Sequence, residues 1–549
     1  MTPPRFSVVV PVHDPPAAVL EAAIDSVRRQ SFEDWELCLV DDGSTSPDVV
    51  LALDRAASDR IRVHHRSEQG GIVAATNDAL DMAGGDFVAF LDHDDELHPR
   101  ALEWVADVLT ADDTVDYVYT DEDKIDEDGR HRDPFFKPDW SLERMRGQMY
   151  AAHLSVVRRR LVEEVGGMRP GFDGSQDYDL ILRVSERARR IVHIPEVLYH
   201  WRAVAGSTAD DAAAKDYAYE AGRRAIADHL ERTAFQGDVE LHPELRGVYR
   251  IRPKLQDEPL VSIVIPTAGG VRRVHGSSLD LVVNCVDSIV DRSTYQNYEI
   301  VCVIDDHAPA HVGPELSRLA GDRIRLVPFD APFNFSAKIN AGALESRGEF
   351  LLLLNDDTEV VTPDWMEAML AFGLQDDVGA VGARLDFPDG RIQHAGVVCS
   401  SGGPFHSYYE FGGGTLGYFS VLEVPADYLA VTAACLLTSR EAFDEVGGFS
   451  IDFPLNFNDV DFCFKVHRSG RRIVCTPEAR LQHFETSSRE ALVTGEEIGL
   501  LQARWAGYLW HDPYYNPNLF QGGGDFVQRG YLSDGTLVPS ERDELLLRS

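Results

Sequence analysis

The strongest constraint on this sequence is that it repeats itself. Phe6 to Val12 reads FSVVVPV, and Val261 to Thr267 reads VSIVIPT. An amphipathic stretch follows in each case, marked by Leu20, Ala23, Ile24 and Val27, then by Leu281, Cys285 and Ile289. SFEDWELCLVDD, ending at Asp42, answers TYQNYEIVCVIDD, ending at Asp306. AFLDHDDE answers LLLNDDTE, EVGGM answers EVGGF, SQDYDL answers FNDVDF, and LYHWR answers LQHFE. The order never changes. Matched positions lie 255 residues apart at Pro11 and Pro266, 264 at Asp42 and Asp306, and 263 at Asp94 and Asp357. They lie 281 apart at Gly167 and Gly448, 282 at Asp177 and Asp459, and 283 at His200 and His483. The spacing changes mainly in two steps. One falls in Gly269 to Ser278 and the other between the acidic turn and the Gly-Gly pair, as two copies of one domain with loop insertions in the second would give. The copies span 1–235 and 258–510, a polar connector covers 236–257, and a tail rich in Pro, Gly and Tyr covers 511–549.

Within each copy, short apolar strands rich in β-branched residues alternate with helix-period segments. Continuous apolar strands need cover on both faces. The expected fold is therefore α/β: two tandem domains, each a mostly parallel sheet flanked by helices. Ligands of such sheets bind beyond the carboxyl ends of the strands, where the acidic turns at Asp41-Asp42 and Asp92 to Asp95 fall.

Charge narrows the partners. With 52 Lys and Arg against 91 Asp and Glu, the chain carries −39. That field opposes a nucleic-acid backbone and broad adhesion to an anionic membrane. No apolar run approaches the ~18 to 20 residues needed to cross a bilayer, and the N-terminus lacks the pattern of a secretory signal. The seven cysteines form no CxxC pair and read as buried free thiols of a reducing compartment. A cytoplasmic protein follows, with peripheral contact at the inner face of the membrane left open.

An Asp-rich turn is by itself often only a turn. Crowded carboxylates nevertheless repel one another unless a cation is present. Mg²⁺ or Mn²⁺ at Asp92, Asp94 and Asp95 would relieve that repulsion and leave coordination positions for phosphate oxygens. It would also let a strongly anionic protein hold a diphosphate. The second copy keeps Asp356 and Asp357 but has Asn355 in place of Asp92. Asp177 and Asp459 precede helical patterns, as helix caps do; the repeated Asp-x-Asp below a Gly-Gly also suits a base that takes a proton from a hydroxyl. His200 and His483 read singly as structural; their recurrence suggests a metal or phosphate contact. Trp140 and Trp201 read first as core and second as platforms for a sugar face.

These motifs resemble the family-2 glycosyltransferases of the GT-A fold, over about nine-tenths of the chain. The first copy's YAAHL, GGMRPGFDGSQDYDL and LYHWRAVAGSTA, and the second copy's FNFSAKINAGA, IQHAGVV and FNDVDFC, resemble bacterial transferases of O-antigen and surface polysaccharides. The resemblance implies inverting transfer from a nucleotide-diphosphate sugar to a hydroxyl of a glycan or lipid-linked glycan. It implies that Asp42 and Asp306 contact the nucleoside and that Asp92 and Asp356 face the nucleotide sugar. Asp92 and Asp94 form the metal motif with Asp95 beside it, Asp357 carries that role in the second copy, and His483 and His200 join the metal ligands. Asp177 and Asp459 are the implied general bases. Gln176 and Asn458 stand where an acidic residue often precedes the base. Alternatives are one catalytic half beside a non-catalytic glycan-binding half, and a nucleotidyltransferase, which the absence of a glycine-rich phosphate loop with lysine disfavours.

Overall fold

A computed structural model describes residues 4–126, 128–202, 216–255, 257–274, 277–484 and 493–528. The repeat is visible strand by strand. In the first sheet the order is Ile61–His65, Trp35–Asp41, Phe6–Val12, Phe87–Phe90, Ser155–Arg158, Tyr117–Ile125, Ile191–Arg202 and Glu96–Leu97. In the second it is Ile324–Phe329, Tyr298–Asp305, Val261–Thr267, Phe350–Leu354, Cys435–Ser439, Val378–Asp386, Arg472–His483 and Thr358–Val360. The first four strands of each sheet run parallel. The fifth is antiparallel to its neighbours, and the sixth and seventh are again parallel.

Side-chain contacts repeat with the strands. Ser7 Oγ donates to Glu36 at 2.6 Å and accepts from the Gly85 amide at 2.8 Å. Ser262 Oγ repeats this with Glu299 at 2.7 Å and Gly348 at 2.8 Å. The Gly-Gly pairs have the same explanation in both copies. Gly167 and Gly448 lie at φ of 65° and 64°, and a Cβ on either would strike the Asn77 or Asn340 amide oxygen. Those amides clamp the backbone of Met168 and Phe449. The two spacing steps are insertions that form hairpins, Val271–Val274 with Ser277–Asp280 and Val397–Ser400 with Gly403–His406. The polar connector contains another, Gly237–Leu241 with Tyr249–Pro253.

The copies are packed against each other. One apolar cluster runs from Tyr117, Tyr150 and Phe235 of the first copy to Phe372, Trp365 and Leu481 of the second. Beside it lies a buried polar network. Ser141 Oγ donates to Asp427 at 2.6 Å, and Arg472 bridges Asp427 at 2.8 Å and Glu143 at 3.1 Å. Trp140 lies among Tyr117, Tyr119 and Tyr150, a core position. All seven cysteines are buried and free. Among the described residues no helix is long and apolar enough to cross a membrane.

The tail bridges the copies. Asp512, 8% exposed, accepts the Cys399 amide of the second copy at 2.7 Å. Four residues later, Asn516 donates to Asp121 at 2.9 Å and to the Lys137 carbonyl at 2.8 Å, both in the first copy. Asn516 is 3% exposed, so its loss strands two buried acceptors. Such a loss costs about 1–3 kcal/mol. Asn516→Ala is expected to lower the urea midpoint by that amount, whereas Gln521→Ala, on the tail's own carbonyls, leaves it within about 0.5 kcal/mol.

Candidate active sites

The carboxyl ends of the parallel strands deliver the acidic residues. In the first copy Asp42 follows strand Trp35–Asp41 and is buried. Its oxygens accept the Gly70 and Gly71 amides at 2.8 and 2.7 Å and meet Arg66 Nε at 3.0 Å. Two of a carboxylate's roughly four acceptor positions are thus filled by the chain's own amides, and Arg66 adds an ion pair.

Beyond strand Phe87–Phe90, Asp92 lines a cleft with Asp177, His153, Gln176 and Tyr199. Burial pushes the Asp92 carboxyl above its ordinary pKa, and Asp94 pushes it further. Asp95 is 1% exposed and turned inward: Tyr199 Oη donates to it at 2.5 Å and the Arg202 amide at 2.8 Å. Asp95 therefore braces the turn. Asp94 is partly exposed; Arg202 holds its carbonyl at 3.0 Å.

Asp177 is the second residue of helix Gln176–Ser185, whose cap is Ser175. It is not the cap itself and is turned into the cleft. Burial raises its pKa, against the Tyr178 amide and His153. His153 stacks on Tyr199 at 5.2 Å, below Trp201 at 5.3 Å. Its Nδ1 lies 3.0 Å from Glu122, which Lys137 also meets at 2.9 Å. Burial opposes a charged imidazole, but Glu122 and the carboxylates of Asp95 and Asp92 prevail and push its pKa up to about 9. A built-in cation thus sits among the carboxylates of this cleft.

The second copy is balanced differently. Its cleft is lined by Thr267, Lys338, Asn355, Asp356, Asp357 and His483. Lys338 Nζ holds Asp305 at 2.5 Å, and Thr267 Oγ1 donates to Asp356 at 2.5 Å. His483 Nε2 lies 3.0 Å from Asp357 and 3.4 Å from the Asn355 amide. Burial, with Asp357 adjacent, pushes the Asp356 pKa to about 7. Asp459 again stands second in its helix, Asn458–Arg468, and accepts the Ala433 amide at 3.1 Å. His406, from the inserted hairpin, feels both Asp459 and His483, and its Nδ1 lies 2.8 Å from Nδ1 of His394. Burial drives the His394 pKa well down, so that ring is neutral.

Residues 7–166 and 262–409 each match the family model of Glycosyl transferase family 2, together more than half of the chain. The chain belongs to glycosyl transferase family 2. Among its relatives, protein y4gI of Sinorhizobium fredii is 44% identical over 95% of this chain and 58% of its own length. O-antigen biosynthesis protein RfbC of Myxococcus xanthus is 38% identical over 98% of this chain and 43% of its own. The chain thus spans about half the length of these relatives. Staphylococcus aureus TarS (1–349) is similar at 20% identity over 41% of this chain and 65% of that chain, with a TM-score of 0.34.

Register corrects two pairings between the copies of this family-2 chain. Asp41 pairs with Val12, and Ile304 pairs with Thr267. The counterpart of Asp42 is therefore Asp305, bound by Lys338; Asp306 is exposed one residue later. Likewise Glu96 pairs with His200, and Glu359 with Gln482. The counterpart of His200 is Gln482, and His483 corresponds to Trp201. Strand side chains alternate faces, so a one-residue slip reverses the direction. Tyr199 and Trp201 face the cleft, whereas His200 points away, with Nδ1 2.6 Å from Asp123. His200 does not join Asp92 and Asp94.

His153, Lys338, His394 and His406 were not singled out from the sequence. His153 sits in YAAHL, an isolated polar residue among small and apolar ones, and Lys338 is the one charged residue of FNFSAKINAGA, which is the available signal. The His153 pKa, about 9, lies above that of a free imidazole, so its stabilisation is complete below the unfolded value of about 6.5 and is lost as pH rises through 9. His153→Ala is expected to destabilise the fold by roughly 2–3 kcal/mol more near pH 6 than near pH 9.5, read from urea midpoints.

Proposed function

We propose that this protein transfers sugars from nucleotide-diphosphate sugars to hydroxyls of a growing cell-surface glycan, with inversion, at one site in each of two domains, 1–235 and 258–510. The observation that carries this is the first cleft, where Asp177 and Asp92 line one pocket beyond the ends of parallel strands. In the second copy Asp357 lines the cleft, and Asp459 holds the same second position of its helix as Asp177 does. The name of RfbC and its likeness over nearly the whole chain support the acceptor class.

In this reading the Asp177 carboxylate accepts the proton of the acceptor hydroxyl as that oxygen bonds to C1 of the sugar. The bond from C1 to the diphosphate breaks, and its electron pair leaves with the diphosphate. Burial raises the base's proton affinity, which suits it to this transfer. One base and one displacement invert C1; a double displacement would need a second carboxylate as nucleophile. His153 holds positive charge beside Asp92 while the cleft fills. Asp459 performs the proton transfer in the second domain, with His406 beside it, and Lys338 orients Asp305.

The donor sets fit a hard divalent ion such as Mn²⁺ or Mg²⁺. Asp92 and Asp94 offer oxygens in the first cleft; Asp357, Asp356 and His483 offer oxygens and one nitrogen in the second. When bound, such an ion supplies neutralisation of the leaving diphosphate. The second cleft's Asn355, in place of Asp92, favours a second reading in which that half binds glycan without transferring it.

Asp177→Asn and Asp459→Asn, made separately, decide among these. Removing a general base costs about 10² to 10⁴ in rate. Each change is expected to lower release of nucleoside diphosphate from one donor by that factor and leave the other half's turnover intact. Full activity in both variants sinks the assignment of the bases, and loss in Asp177→Asn alone selects the second reading. Because the base must be ionised, the rate of the first half rises with pH through the elevated Asp177 pKa.

A further inference from the structure

Behind the first cleft lies a cluster that the transfer reaction does not use. On strand Tyr117–Ile125, Glu122 faces the cleft and meets His153. Its neighbour Asp123 therefore points to the opposite side of the sheet. On the paired strand Ile191–Arg202 the same alternation sends Tyr199 and Trp201 forward and His200 back, and His200 lies directly opposite Asp123 in the parallel ladder. The hairpin strand His131–Phe135 closes the group from the other edge, opposing Ile125 with His131. His200 Nδ1 is 2.6 Å from one oxygen of Asp123, and His131 Nδ1 is 2.9 Å from the other. The imidazole centroids are 4.5 Å apart. One ligand atom from each of the three side chains lies within 4.8 Å of the other two. The Asp123 side chain is 1% exposed, those of His200 and His131 12% and 33%. The carboxylate is thus buried, and the imidazoles form a rim open to solvent.

We propose that Asp123, His131 and His200 form a binding site for a divalent transition ion of the Zn²⁺ type, distinct from the acidic clefts. Two imidazoles and a carboxylate make a three-ligand set that leaves one position of a tetrahedral Zn²⁺ for water. The same set disfavours Mg²⁺, which prefers oxygen ligands. The ion replaces the protons shared between Asp123 and the two Nδ1 atoms. It ties the hairpin to strand Ile191–Arg202, whose Tyr199 and Arg202 hold Asp95. The site therefore supports the acidic turn from behind. The second copy has Gln482 at the position of His200, so the site belongs to the first copy alone.

The test is Co²⁺ titration of the chelator-treated full chain in excess Mg²⁺, which occupies the oxygen-rich clefts, with visible absorption as the readout. One equivalent is expected to bind with the intense bands of a nitrogen-ligated, low-coordinate ion, and Zn²⁺ is expected to displace it and raise the melting temperature. His200→Gln copies the side chain that the second half tolerates, and His131 is on an exposed hairpin, so both variants keep the core. Either His131→Ala or His200→Gln is expected to abolish the bands. Asp94→Asn combined with Asp357→Asn is expected to leave them unchanged. Absence of the bands in the parent chain, or their survival in either histidine variant, overturns the proposal.

Discussion

Carboxylates withdrawn from water at the ends of parallel strands set the terms for everything else in these clefts. Burial disfavours their charged forms first and neighbouring carboxylates add to it, so ionisation of Asp92, Asp95 and Asp356 is suppressed. The two copies meet this cost with different residues. The first uses an imidazole, His153, anchored through Glu122 to the fully buried Lys137. The second uses an ammonium, Lys338, on Asp305, and an imidazole, His483, on Asp357. Sheet order and backbone register survived duplication, while the compensating charges were reassigned.

That division also marks what the sequence reveals. The repeat, the alternation of strand and helix, and the carboxylates at strand ends are legible because they recur in order over hundreds of residues. The pairings at spacings 264 and 283 are the two that register reverses, each by one residue. Both arose from matching like with like: Asp with Asp at Asp306, His with His at His200. A strand responds to parity rather than identity, so Asp305 and Gln482 hold the equivalent places. His153 carried too little local signal, because its role depends on Glu122 and Lys137, which are distant in sequence and adjacent only across the sheet.

The second copy's insertions lie beside its cleft. The hairpin following Val261–Thr267 contributes Val271 and Arg272 to the cleft wall. The hairpin ending at His406 brings an imidazole to Asp459. With Ala434 where the first copy has His153, and His406 where the first has no insertion, Asp177 and Asp459 sit in different surroundings on one scaffold.

Asn516 donates to a carbonyl 379 residues earlier in the chain. The buried oxygens of Asp121 and Lys137 consequently lack this donor throughout synthesis of the entire second half. The first lobe therefore gains this donor only after residue 516 has been made. A ribosome stalled between the halves would release a lobe with an exposed seam, and the strap that seals it also reports that the later half has been made.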